Sequence, residues 1–188
     1  LGRRLGMAKQ DFETLSRIWA HANIKLQRKL DILDSCVVSK LLYGMHTACL
    51  SKAELRRLDG FYARCLRRVL RVPPAYISRV SNDTVLRRAR RTSLSTRLMQ
   101  QQLILLGKVA RRADEDPVRR CVFEPGGLVQ RPMGQRKRGR PRRSWNDVVC
   151  KAAAEISGTQ EKLCEYMAPT AQAERAWRTT VRRYHNNL

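Results

Sequence analysis

The chain has 188 residues, 43% of them apolar, which is about one domain's length with enough apolar side chain for a core, so wholesale disorder is excluded. Its 39 Lys and Arg face only 16 Asp and Glu, a formal net charge of +23, and 30 of the 39 are Arg. Lysine would serve solubility equally well, whereas the planar arginine fork matches phosphate oxygens, so the excess points to a polyanion, nucleic acid foremost.

No apolar run is long enough to span a bilayer, and no membrane partner is expected. The opening Leu1-Gly2-Arg3-Arg4 has neither an initiator Met nor a signal-peptide core, and reads as part of something longer. Cys36, Cys49, Cys65, Cys121, Cys150 and Cys164 are scattered without a C-x-x-C pair. That spacing suits reduced, structural thiols in an intracellular setting, not a secreted disulfide scaffold.

Along the chain the apolar period is helical. Phe12, Leu15, Ile18, Trp19 and Ala22 recur at three- and four-residue steps, as do Leu26, Leu30, Leu33, Val37 and Leu41, with polar Lys25, Gln27, Lys29 and Asp31 between them. The pattern breaks at Gly44. Ser51-Lys52-Ala53-Glu54 is a capping box, and Leu55, Leu58, Tyr62, Cys65 and Val69 form the seam of the helix it opens, which Pro73-Pro74 stops. Asn82 is the predicted cap of a short helix through Arg91. Thr92 or Ser93 caps the next, with Leu94, Leu98, Leu105 and Val109 on one face, ending at Asp114-Glu115-Asp116-Pro117. Residues 124–143 hold four Gly, three Pro and seven basic residues without apolar period, the composition of an extended or disordered arm. Helical spacing resumes with Trp145, Val148, Ala152 and Ile156, stops near Gly158, and returns in Ala173, Trp177 and Val181. The predicted fold is all-α: a helical bundle over residues 1–123, the arm at 124–143, and a small helical segment at 144–188.

Eleven Arg and only two acids, Asp59 and Asp83, lie between Arg56 and Arg91. Arg57, Arg64, Arg68 and Arg71 follow steps of seven, four and three, off the apolar seam. A solvated face usually mixes both signs, and like charges one turn apart repel, so an anion is expected to compensate. Arg87, Arg88, Arg90 and Arg91 extend the same basic run, and phosphate contact is predicted for all eight.

Within the arm, Arg136-Lys137-Arg138-Gly139-Arg140-Pro141-Arg142-Arg143 matches an AT-hook. Glycine there avoids a clash with a narrow groove floor, proline holds an extended path, and the arginines reach along the electronegative A·T minor groove. Such tracts also serve as nuclear import signals, so a nuclear location is one expectation.

His46-Thr47-Ala48-Cys49, Cys150, Cys164 and His185 do not make four ligands at finger or knuckle spacing. Asp114-Glu115-Asp116 is a consecutive run, not carboxylates converging from separate elements, and reads as a solvated helix end. No nucleophile–base pattern or phosphate loop is present, so no catalytic residue and no cofactor is assigned to this chain.

Several segments, in order, resemble the C-terminal part of a LINE-type (non-LTR) retrotransposon reverse transcriptase. Leu1-Gly2 resembles the end of the tyrosine-leucine-glycine turn leaving that family's palm. Leu41-Leu42-Tyr43-Gly44 with Leu58 through Arg71 resembles the thumb pattern L-L-Y-G-x-E-T-W … L-x-x-F-x-x-R-C-L-R-R-I-L. Ile77-Ser78-Arg79-Val80-Ser81-Asn82 with Val85-Leu86 resembles R-I-S-N-x-x-V-L. Leu105-Leu106-Gly107-Lys108-Val109 resembles L-G-H-V, with Lys108 at the usual His. Gly139 to Trp145 resembles G-R-P-x-x-x-W. His46-Thr47 stands at the family's Glu-Thr, and Cys49 comes near its Trp. The resemblance implies a thumb plus a basic post-thumb segment of an RNA-directed DNA polymerase. Any magnesium would belong to a palm that these residues do not include.

The function expected is therefore a grip on the backbone of an RNA–DNA hybrid or duplex DNA, with the palm of a longer parent chain as a possible second partner. Two alternatives stand beside it: a standalone basic DNA- or RNA-packaging protein, and a decayed retroelement fragment without activity.

Overall fold

The computed structural model describes residues 1–132 and 144–184. The fold is all-α: every regular element among the described residues is helical, and Phe123 with Gln130 forms an isolated antiparallel bridge. The chain divides into two compact units, Leu1–Met45 with Leu50–Arg97, and His46–Cys49 with Leu98–Leu188. This differs from the boundary that the composition shift at 124 predicts. Residues 98–123 belong with the C-terminal helices because Leu103, Leu106 and Val109 share one core with Val149, Trp177 and Val181. Composition marks where solvation changes; it does not record which apolar faces meet.

The first unit contains α1 (Gly2–Thr14), α2 (Ser16–Ala20) and α3 (Leu26–Ile32). It runs on through a π-helical stretch, Leu33–Val38, into α4 (Ser39–Leu42), followed by α5 (Lys52–Val69), α6 (Ala75–Ser78) and α7 (Asn82–Ala89). The first turn of α8 (Leu94–Ala110) also belongs to this unit. Helix α5 packs on α1, α2, α3 and α7. Its Leu58, Phe61, Tyr62, Cys65, Leu66 and Val69 are buried, as are Leu30, Leu33, Val37 and Leu41. Phe12 and Trp19 stack at 5.0 Å, and the Trp19 indole N–H donates to the Phe12 carbonyl at 2.8 Å.

Two positions of the α3 stripe depart from the expected pattern. Leu26 is exposed, while Lys29, expected on the polar side, is buried. Its ammonium donates to the carbonyls of Trp19 (2.9 Å) and His21 (2.7 Å), so the lysine satisfies the C-terminal end of α2. Its aliphatic stem covers apolar surface on the way.

The capping box forms as the spacing requires. Ser51 Oγ accepts from the Glu54 amide, and the Ser51 amide donates to Glu54 Oε2 at 2.9 Å. The cap of α7 is Ser81, not Asn82: Ser81 Oγ accepts from the Thr84 amide at 3.1 Å. Asn82 is the first helical residue, and its side chain accepts from Arg67 instead. At α8 it is Ser93 that caps, accepting from the Thr96 amide at 3.2 Å.

In the second unit α8 ends at Ala110, four residues before the acidic run. Within that run, Asp116 caps α9 (Pro117–Arg120). The segment predicted as an arm from residue 124 begins folded: Glu124 donates to the Val129 carbonyl and Arg131 to the Val122 carbonyl, both at 2.9 Å. Helices α10 (Trp145–Ser157), α11 (Gln160–Met167) and α12 (Ala171–Arg182) follow, each capped by a Ser or Thr. The Trp177 indole donates to the Leu103 carbonyl at 2.9 Å, and Trp145 donates to the His46 carbonyl at 2.8 Å. Arg111 ties off α11 through the carbonyls of Tyr166 (2.6 Å) and Ala168 (3.2 Å). All six thiols are free; burial pushes Cys65 up to about 12 and Cys150 up to about 11, so both act as small hydrophobes.

Candidate nucleic-acid interface

A groove of about 530 Å³ opens between α1 and α5 in the first unit. Lys9 of α1 and Arg56, Arg57 and Arg64 of α5 line it, with Leu5, Phe61 and three glycines, Gly2, Gly6 and Gly60. The glycines explain the opening. A Cβ at any of them would meet no atom within 4 Å, so hydrogens stand where side chains would otherwise fill the trough. Glycine inside a helix costs about 1 kcal/mol relative to alanine. Gly6 and Gly60 carry that cost where packing does not require it.

No acid lines the groove, and every acid on its two helices is engaged elsewhere. Asp11 pairs with Lys40 at 3.3 Å, and Glu13 with Arg68 at 2.7 Å. Asp59 accepts from the Ser95 amide at 2.9 Å. Glu54 is held in the capping box, where hydrogen bonds from Ser51 lower its pKa below the ordinary carboxylate value. Lys9, Arg56, Arg57 and Arg64 make no hydrogen bond or ion pair among the described residues. Four exposed cations on facing helices repel one another unless an anion lies between them.

The eight arginines expected on phosphates do not form one face. Arg57 and Arg64 line the groove. Arg68 lies on the same helix but meets Glu13, its guanidinium 5.7 Å from the Phe12 ring centre. That pair is half-exposed, and exposed pairs contribute little to stability. Arg71 donates to the Ala20 carbonyl at 3.0 Å. Arg87 reaches Thr84 at 3.4 Å and is exposed, as are Arg88 and Arg90. Arg91 is different. It is largely inward, with Nε 2.9 Å from Asp34 and Nη2 3.0 Å from Asp31, so it belongs to the scaffold.

Arg67 shows why helical spacing alone does not sort them. It is buried, and its fork donates to the carbonyls of Pro73 and Val80, to Ser78 Oγ and to Asn82 Oδ1. Arg97 likewise turns inward, 2.8 Å from Asp34 and above the Tyr62 ring. Desolvation raises the pKa of the buried Tyr62 phenol.

Lys9 and Arg56 are site members that the basic run did not single out. Their signal in the sequence is glycine: Gly2 and Gly6 one turn apart on α1, opposite Gly60 on α5. Arg136, Lys137, Arg138, Gly139, Arg140, Pro141, Arg142 and Arg143 lie outside the described residues. Among the described residues no three His, Cys, Asp or Glu side chains come together as a metal site, and no helix is long and apolar enough to cross a membrane.

Compared with family models, curated proteins and solved structures, the chain matches none.

Proposed function

We propose that the first unit is a nucleic-acid-binding module that grips a duplex, RNA–DNA hybrid or DNA, by its sugar–phosphate backbone and performs no chemistry itself. The observation carrying this reading is the groove between α1 and α5: four cations, no acid, and glycines that leave the trough open. Arg57 and Arg64, with Lys9 and Arg56, contact phosphates inside it. Arg68, Arg71, Arg87, Arg88 and Arg90 supply further positive charge on the same unit. The Arg136 to Arg143 arm adds a second contact, on the strength of its AT-hook-like sequence. The resemblance of residues 41–86 to the thumb of non-LTR reverse transcriptases supports the same role, as the duplex-holding part of a polymerase whose palm lies elsewhere.

The test is fluorescence-anisotropy binding to an RNA–DNA hybrid, duplex DNA and single-stranded RNA across a salt series. Engaging about six phosphates weakens duplex binding roughly 10³-fold between about 50 and 200 mM salt. Neutralising Lys9, Arg56, Arg57 and Arg64 together is expected to remove most of that slope. Weak, salt-insensitive binding to all three ligands would sink the proposal.

A further inference from the structure

Beyond the groove, the first unit presents a second exposed feature. Between Arg71 and Asn82 the chain makes a loop carrying α6, a four-residue helix that buries none of its residues. Tyr76 is 84% exposed and Ile77 62%. Scattered exposed apolar residues are ordinary. These two are adjacent, and the segment beneath them is held with unusual care. The buried Arg67 donates to the loop at four places, the carbonyls of Pro73 and Val80, Ser78 Oγ and Asn82 Oδ1. Ser78 Oγ in turn donates to the Pro73 carbonyl at 3.1 Å. Pro73 and Pro74 restrict the approach further. A buried guanidinium is an expensive group to desolvate, and here it orders a tip whose helix buries none of its own residues.

The chemistry around the tip identifies what it meets. Residues 71–82 contain no Asp or Glu, and Arg71 and Arg79 bound α6 on either side. Both stand in the left-handed backbone region, at φ 57° and 51°. Arg79 makes no hydrogen bond or ion pair through its side chain among the described residues. An exposed flat ring with a free guanidinium three residues away, on a pre-ordered loop with no acid of its own before Asp83 in α7, suits an unpaired base and its phosphate. Pre-ordering removes the entropy that a flexible loop would lose on stacking. A protein partner would be served as well by a neutral apolar tip and does not account for the absence of acid.

We propose that the Tyr76–Ile77 tip stacks on an unpaired nucleobase of single-stranded nucleic acid next to the gripped duplex, with Arg79 on the adjoining phosphate. This rests on the reading of the first unit as a nucleic-acid module, and the experiment separates the two. The full chain is titrated by anisotropy with a blunt DNA duplex and with the same duplex carrying a single-stranded overhang. The wild type binds the overhang form more tightly, by roughly 5- to 100-fold for one stacked base. Tyr76→Ala abolishes that preference and leaves the blunt duplex unchanged, while Tyr76→Phe, which keeps the ring, retains it. Because Tyr76 is on the surface, the alanine variant folds as the wild type does. Equal affinity of the wild type for the two DNAs overturns the tip proposal and leaves duplex gripping intact. So does a tip that docks another protein, for which Tyr76→Ala alters neither affinity. No binding of the blunt duplex overturns the gripping reading, and the tip proposal with it.

Discussion

Arg91 Nε lies 2.9 Å from Asp34 Oδ2, closing 57 residues of chain onto one carboxylate. Asp34 also accepts from Arg97 at 2.8 Å and from the Tyr62 hydroxyl at 3.3 Å. Two guanidinium groups and a phenol therefore converge on one half-buried acid, and they join α3's continuation, α5 and the start of α8 within the first unit. The arginines of this unit thus divide into those held by acids or backbone carbonyls and those that face solvent, and the two classes respond differently to substitution.

Arg91→Ala removes two scaffold ion pairs, leaving Asp31 with its hydrogen bond from Gln27 and Asp34 with Arg97 and Tyr62. A loss of about 1–2 kcal/mol is expected, below the full value for a buried pair because both acids retain solvent exposure. Urea unfolding is expected to show a lower midpoint with an unchanged slope, and the salt dependence of DNA binding stays as it was. Arg64→Ala is the converse. Stability changes by less than about 0.5 kcal/mol, while the log–log salt slope falls by about 0.9, the value for one phosphate no longer neutralised. Identical behaviour of the two variants would refute the division.

Gly6→Ala and Gly60→Ala test the groove without touching a charge. Each added methyl points into open space, so the helix gains about 0.5–1 kcal/mol per site from propensity alone. If a backbone enters the trough, the same methyls obstruct it. The expected result is a raised thermal midpoint together with weaker duplex binding. Raised stability with unaltered binding would place the nucleic acid elsewhere on the unit.

Arg90 closes α7 in the left-handed region at φ 51°, where a side chain costs about 1 kcal/mol and glycine costs little. Arg90→Gly is expected to recover up to about 1 kcal/mol of stability while weakening duplex binding by removing a positive charge. Chemical denaturation and anisotropy on the same preparation check both signs. A gain in stability with no change in affinity would remove Arg90 from the binding surface.

Gly107 has the opposite character to Gly6. A Cβ there would lie 2.6 Å from Cδ1 and 2.7 Å from Nε1 of the buried Trp177, a rigid ring that donates to Leu103. The propensity gain of about 1 kcal/mol is outweighed by overpacking of roughly 1–3 kcal/mol and by strain on the indole hydrogen bond. Gly107→Ala is expected to lower the thermal midpoint of the second unit, with Trp fluorescence reporting the displaced ring.

The acidic run has a pH signature. A hydrogen bond from Arg119 and then one from the Gly126 amide hold the Asp114 carboxyl below its ordinary pKa. A group depressed on folding stabilises fully above its unfolded pKa and loses that contribution as pH falls through the folded value. The wild type is expected to exceed Asp114→Asn in thermal midpoint by a constant margin near neutrality. The margin shrinks once pH drops below about 4, the ordinary carboxylate range. A margin that persists unchanged into strong acid would show that charge is not the cause.

Local rules explain which parts of this molecule are readable along the chain. The capping box at Ser51 and Glu54 lies within four residues, so spacing alone specifies it. The seam through Leu58, Tyr62, Cys65 and Val69 repeats at the helical period and is buried as that period demands. The same holds for Ala173, Trp177 and Val181. Position 82 shows the limit. Both Ser81 and Asn82 are good caps, and the choice falls to Ser81 because Arg67, fifteen residues away, takes the Asn82 side chain.

The helical class, the Ser51–Glu54 capping box and the surplus of arginine follow from residue order alone, because backbone propensity, apolar period and net charge are properties of neighbouring residues. Which cations are available to a ligand follows from packing. Arg67 lies on the same helix as Arg57 and Arg64 and Arg91 in the same basic run, yet the carbonyls of the loop after α5 draw Arg67 inward, and Asp31 and Asp34 do so for Arg91 and Arg97. Lys9 joins the groove only because α1 crosses α5 where Gly6 and Gly60 leave room. A charge is assigned to scaffold or to ligand by what folding brings within about 4 Å of it, and that distance is not written in the spacing of residues.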